Sequence, residues 1–118
     1  LSSVAQCLQE VSKCDLFIGI LGERYGWVPP KDQLTILAKD PNLRWVLNYK
    51  DGSSVTELEI ACFALRNPEE AQGKAFFFSR NSDFISAVPQ KWLCDMAAET
   101  PNDKGSKIGI VNQSTFCY

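Results

Sequence analysis

The chain has 118 residues, 45% of them apolar and 22% charged, with a net charge of -2, no histidine and five cysteines. That length suits one domain or part of one, and the composition is that of a globular chain rather than a disordered one. Without histidine, Ser-His-Asp and Cys-His catalysis within the chain are excluded, and the lack of a Lys/Arg cluster disfavours direct contact with RNA or DNA.

The cysteines, Cys7, Cys14, Cys62, Cys94 and Cys117, contain no C-x-x-C pair. They read as free thiols, and no metal site is expected. No apolar run approaches the ~20 residues of a membrane span, and no basic-then-apolar leader opens the chain. A cytoplasmic chain without membrane contact is expected. It begins inside a helical pattern, so an upstream portion is expected as well.

Val4, Cys7, Leu8, Val11 and Cys14 recur at helical spacing and predict an amphipathic helix over the first ~14 residues. Asp15 breaks the pattern. Leu16 to Leu21 is then a short apolar run without alternation, the mark of a strand buried on both faces of a parallel sheet. A helix leading directly into such a strand is one step of an α/β wind.

From Gly26 to Gly52, prolines, glycines and Asx residues punctuate the chain, while Leu34, Leu37, Leu43, Trp45, Val46 and Tyr49 supply apolar surface. Residues 27–52 read as an ordered excursion with short helical turns. Ser53 to Arg66 predicts a helix that Asn67-Pro68 stops, and Ala75 to Phe78 predicts a second buried strand. Asp83–Val88 and Gln90–Ala98 predict helical pieces separated by Pro89.

Ligands of open parallel sheets collect at the carboxyl ends of the strands. Gly22-Glu23-Arg24-Tyr25-Gly26 leaves the first strand there, and Ser79-Arg80 leaves the second. Arg24 could clamp an anion, and Tyr25 could stack on a base. Equally, Tyr25 and Trp27 could cap the apolar edge of the sheet while Arg24 pairs with Glu23 or another carboxylate. Ser54-Val-Thr-Glu57 matches a capping box, in which the serine hydroxyl and the glutamate each take a free amide. Glu57 is then expected to fold back on the Ser54 amide and stay mostly exposed. Glu59, about 200° further round the helix, is expected to face the carboxyl end of the first strand and the Gly22–Tyr25 loop.

The pattern "SKCDLFIGILGERYG" followed by "SSVTELEI" resembles the middle of a Toll/interleukin-1-receptor (TIR) fold. The resemblance implies a partial flavodoxin-like α/β fold, a parallel sheet with flanking helices whose opening strands lie before Leu1. It puts Ser53 at the family's serine position and Glu59 at the glutamate that serves catalysis in NAD-cleaving members. Gly22, Glu23, Arg24, Tyr25, Ser53 and Arg80 are the ligand-binding residues so implied. Val55 and Thr56 stand where those members carry Trp-Cys, and about 25 residues are inserted between loop and helix.

"CLQEVSKCDLFIGILGERYGWVPP", the Trp45 and Tyr49 pair, "GSSVTELEIACFALRN" and "NSDFISAVPQKW" occur in order and together resemble a TIR-like region of unknown function in NACHT/WD-repeat proteins of the telomerase-component type, shared with nephrocystin-3. This resemblance covers about Ala5 to Ala98 and implies a TIR-like region at 1–104 with a divergent or truncated tail at 105–118. It implies a non-catalytic regulatory or assembly domain of a ribonucleoprotein scaffold. Protein and ribonucleoprotein partners, no cofactor of its own, and a cytoplasmic or nuclear location follow from it. Two alternatives accompany that expectation: a TIR-type hydrolase of a glycosidic bond in NAD or another nucleotide, and direct RNA contact through Arg24, Tyr25, Trp27 and Arg80.

Overall fold

The computed structural model describes residues 2–93. Readings that fall on residues 94–118, namely Cys94, Cys117, the Met96 end of the last helical piece and the 105–118 tail, lie outside the described residues. The order of elements is α1 (Ser3–Val11), β1 (Phe17–Leu21), α2 (Lys31–Leu37), a 3-10 helix (Pro41–Leu47), α3 (Val55–Ile60), α4 (Pro68–Ala71), β2 (Ala75–Ser79) and two further 3-10 helices, Ser82–Ala87 and Gln90–Trp92. It is a partial α/β fold, with a two-stranded parallel sheet flanked by helices.

Ser2 starts α1 by accepting a hydrogen bond from the Ala5 amide at 3.2 Å. The helix stops at Val11, short of the predicted end. Lys13 and Cys14 donate to the carbonyls of Glu10 and Val11, three residues back, and this tightens the last turn. Val4, Ala5 and Leu8 point inward. Leu8, fully buried, meets Leu58 of α3 together with Leu37, Ala38, Leu43 and Val46 in one core cluster. Residues 27–52 thus form part of the core. Their attachment to α1 is polar too, since Gln9 donates to the Asp40 carboxylate at 3.0 Å.

After Ile60 the helix widens into a π-turn, Ala61–Leu65, closed by the Arg66 amide on the Ala61 carbonyl at 3.2 Å. Within it, Phe63 lies 5.3 Å from the Phe17 ring of β1. Pro68 starts the short α4, and Gly73, at φ +74°, takes a left-handed turn into β2 that a side chain would strain.

β1 and β2 pair in register, Phe17 with Ala75 through Leu21 with Ser79. Gly19 faces Phe77, and a Cβ at Gly19 would come within 2.6 Å of the Phe77 ring. The absent side chain is what lets that ring lie across the strand.

Burial on both faces, expected from the unbroken apolar runs, is not what the described residues show. Phe17, Gly19 and Phe77 lie on the helix side, whereas Ile18, Ile20, Phe76 and Phe78 are exposed. The described helices pack on one side of the sheet only. After β2 the predicted helical pieces begin as 3-10 helices, Ser82–Ala87 and Gln90–Trp92, parted where Val88 is held extended by the proline that follows it; the second piece is described only as far as Leu93.

Candidate functional site

At the carboxyl end of the sheet the two predicted loops meet. The Arg80 amide donates to the Leu21 carbonyl at 2.8 Å, extending the ladder by one bond. The Arg80 guanidinium then lies over Gly22, where a Cβ would stand 3.0 Å from its Nη2, and 4.5 Å from the Phe84 ring centre. Gly22 is therefore a place of close approach as well as a turn.

Beyond it, Glu23 is half-buried, Arg24 is exposed and Tyr25 is half-buried. Gly26 turns at φ +97°, a conformation that favours glycine, and brings the chain against Ser54 and Thr56 at the start of α3. The Trp27 carbonyl accepts from the Val55 amide at 2.9 Å. The loop after β1 is thus fastened to the first turn of α3.

That first turn contains half of the predicted capping box. The Ser54 hydroxyl, fully buried, accepts from the Glu57 amide at 3.1 Å. The return arm is different. The Ser54 amide donates to the Tyr25 phenol oxygen at 3.3 Å, and the phenol donates to Oε2 of Glu57. A phenol from 29 residues upstream of Ser54 has been inserted into the box.

The Lys50 ammonium stands 3.6 Å from the other carboxylate oxygen, and only 14% of the Glu57 side chain is exposed. Burial pushes the Glu57 carboxyl above its ordinary value. Ser53 is buried, and its hydroxyl donates to the Lys50 carbonyl at 2.8 Å, which fastens the turn around Gly52.

The expectation for Glu57 is overturned. Glu57, expected to be mostly exposed, is the carboxylate that meets the loop. Glu59 is half-buried and has no hydrogen-bond or ion-pair partner among the described residues. The reason is geometric: two residues of helix rotate a side chain by about 200°, and the phenol reaches the face that holds Glu57. Ser54, Glu57 and Lys50 were not among the predicted ligand residues. The capping motif had marked Ser54 and Glu57, but no local pattern marks a tyrosine that joins them from another loop.

The predicted set therefore divides. Gly22 and Arg80 come together at the sheet end, Tyr25 engages α3, and Ser53 is taken up by backbone. The hydrogen bonds of Tyr25 engage its phenol oxygen, which bridges Ser54 and Glu57. Beside Arg80 lies a shallow apolar hollow formed by Phe84, Ala87, Val88, Pro89 and Trp92. Among the described residues there is no group of acidic or cysteine side chains fit to hold a metal ion, and no helix is long and apolar enough to cross a membrane.

Comparison with known proteins gives this junction a context. Telomerase protein component 1 of Mus musculus and that of Rattus norvegicus are each 39% identical to the chain over 95 residues, covering 80% of the chain and 4% of the relative. A TPR repeat-containing protein of Dictyostelium discoideum is 36% identical over 98 residues, covering 75% of the chain and 6% of the relative. The chain thus spans only a small fraction of the length of the curated relatives it matches. No solved structure matches it. Residues 2–92 match the family described as Domain of unknown function (DUF4062), and the chain belongs to that family.

Proposed function

We propose that the chain is a non-catalytic regulatory or assembly module of a telomerase-component-like scaffold of the NACHT/WD-repeat type, acting through protein and ribonucleoprotein partners. The observation that carries this reading is the match to a small segment of telomerase protein component 1 in two rodents. The junction supports it. The polar groups that a nucleotide pocket would need at the mouth of the sheet are used on one another: Tyr25 on Glu57, the Ser54 hydroxyl on the helix amide and Ser53 on Lys50.

A chimera tests the reading. Mouse telomerase protein component 1 carrying this chain in place of its own matching 95 residues is expected to co-purify with telomerase. The same protein with a flexible Gly/Ser spacer there is expected to lose that association. A folded chimera that fails to associate, or a spacer that works as well, overturns it.

The enzymatic alternative, glycosidic-bond hydrolysis of NAD or another nucleotide, gives Glu59 the task of stabilising positive charge on the ribose. Gly22, Arg24 and Arg80 would hold the phosphates, and the Tyr25 ring would stack on the base. Release of nicotinamide from NAD by the chain, abolished in Glu59→Gln, would establish that alternative. The module reading expects no release above buffer.

A further inference from the structure

Asp51-Gly52 is the one place in the chain where a glycine follows an aspartate or an asparagine. The pair turns the chain from the excursion into α3, with Gly52 at φ +78°, the left-handed conformation that glycine supplies in such turns. Little encloses it. A Cβ placed on Gly52 would meet nothing within 4 Å, the Gly52 amide makes no hydrogen bond among the described residues, and 74% of the Asp51 side chain is exposed. The Lys31 ammonium stands 3.1 Å from the Asp51 carboxylate, but an ion pair this exposed holds its partners weakly.

We propose that Asp51-Gly52 is a modification site of the folded chain, at which the aspartate isomerises to isoaspartate and presents a new α-carboxylate to a methyltransferase specific for that group. In the first step the Gly52 amide nitrogen bonds to the side-chain carboxyl carbon of Asp51. The amide proton and the carboxyl hydroxyl leave together as water, and a succinimide ring closes. Water then adds to the backbone carbonyl carbon of Asp51 and breaks its bond to the Gly52 nitrogen, so the main chain now runs through the side-chain carboxyl. Nothing is oxidised or reduced. The methyl group of a sulfonium donor passes to an oxygen of the new carboxylate, and the sulfide leaves with the electrons of the broken carbon–sulfur bond.

The chain's other aspartates and asparagines are each followed by a residue whose side chain crowds the attacking nitrogen. Asp40 precedes Pro41, whose nitrogen has no proton to give up. Asn81 precedes the small Ser82, yet its side chain is engaged: Oδ1 accepts from the Asp83 amide and Nδ2 donates to the Asp83 carboxylate, both at 3.1 Å. Position makes the change at Asp51 consequential. The Ser53 hydroxyl donates to the Lys50 carbonyl at 2.8 Å across this pair, and the Lys50 ammonium reaches Glu57. Isoaspartate lengthens the main chain by a methylene between Lys50 and Ser53, the two residues that this bond joins.

The test keeps the 118-residue chain at neutral pH and body temperature for weeks, in parallel with the same chain unfolded in guanidinium chloride. Circular dichroism marks the two states, and both samples then meet protein-L-isoaspartate O-methyltransferase with labelled S-adenosylmethionine. Label is expected in the peptide that contains Asp51, building up in the folded chain within about tenfold of the unfolded rate, because an open turn reacts without unfolding. Asp51→Glu keeps the charge opposite Lys31 but must close a larger ring, and is expected to take no label there. Asp51→Asn, which loses ammonia in place of water, is expected to take label faster than the parent. A folded chain slower than that tenfold limit, label spread evenly over the other aspartates, or Asp51→Glu labelled as strongly as the parent overturns the proposal.

Discussion

The two sides of the sheet are built from nearly the same residue types and have opposite fates. On one side Phe17, Gly19 and Phe77 lie under the π-turn of α3, and α1, α3 and the excursion close a core around Leu8. On the other side Ile18, Ile20, Phe76 and Phe78 meet water. Hydrophobicity therefore does not decide which face of a strand is covered. What decides is the side on which the connections return, and from β1 to β2 the described helices all return on one.

Substitutions can break or sharpen this contrast. The largest effect is expected at Leu8→Ala, which removes a fully buried side chain from the centre of the helix side. Chemical denaturation should show a loss of about 2–5 kcal/mol. Gly19→Ala adds only one methyl group, yet the Phe77 ring stands where it would go, and overpacking of this kind costs about 1–3 kcal/mol. Ile20→Thr on the opposite side of the same strand should stay within about 0.5 kcal/mol when measured on dilute monomer. An equal loss at Ile20 and Gly19 would abolish the distinction between the faces.

The two glutamates of α3 repeat the comparison on a smaller scale. Glu57→Ala leaves the Tyr25 phenol without its acceptor and removes a group beside the helix cap, and a loss of about 1 kcal/mol is expected. Glu59→Ala should change stability by less than about half as much.

The smallest effect concerns pH. Burial raises the folded-state carboxyl of Glu57 above its ordinary value of 4.5. Its contribution is therefore present in full below that value and falls away as pH rises through the higher folded-state value. Denaturation midpoints of the parent and Glu57→Gln, compared from pH 4 upward (roughly the range that brackets both values), should show the parent losing this increment while the variant does not.

Much of the scaffold was legible because it depends on local rules. Val4, Leu8 and Val11 gave α1 by spacing, Asn67-Pro68 ended the third helix, and Phe76 to Phe78 marked β2. The parallel pairing followed from unbroken apolar runs, and the meeting of Gly22 with Arg80 followed from both loops leaving carboxyl ends of strands. What was not legible depended on distant partners. A capping box can be read within four residues, but the Tyr25 phenol comes from 32 residues before Glu57 and replaces the arm expected to close it. The bare sheet face escaped for a related reason: an apolar run records that a strand avoids water, not which element covers it.

The fastening of Trp27 to Val55, and of Tyr25 to Ser54 and Glu57, has a thermodynamic counterpart in covalent chemistry. It acts on the intervening segment as a reversible cross-link would. Closing a loop of this size costs an entropy that grows only slowly with its length. Once the staple holds, that cost no longer depends on how the interior of the segment is arranged. Residues between the two ends can open and close locally while β1 and α3 stay joined, so amide exchange should be faster at Ile36 and Leu47 than at Val55. Weakening the staple by Tyr25→Phe, which leaves only its Trp27–Val55 backbone bond, should narrow that difference.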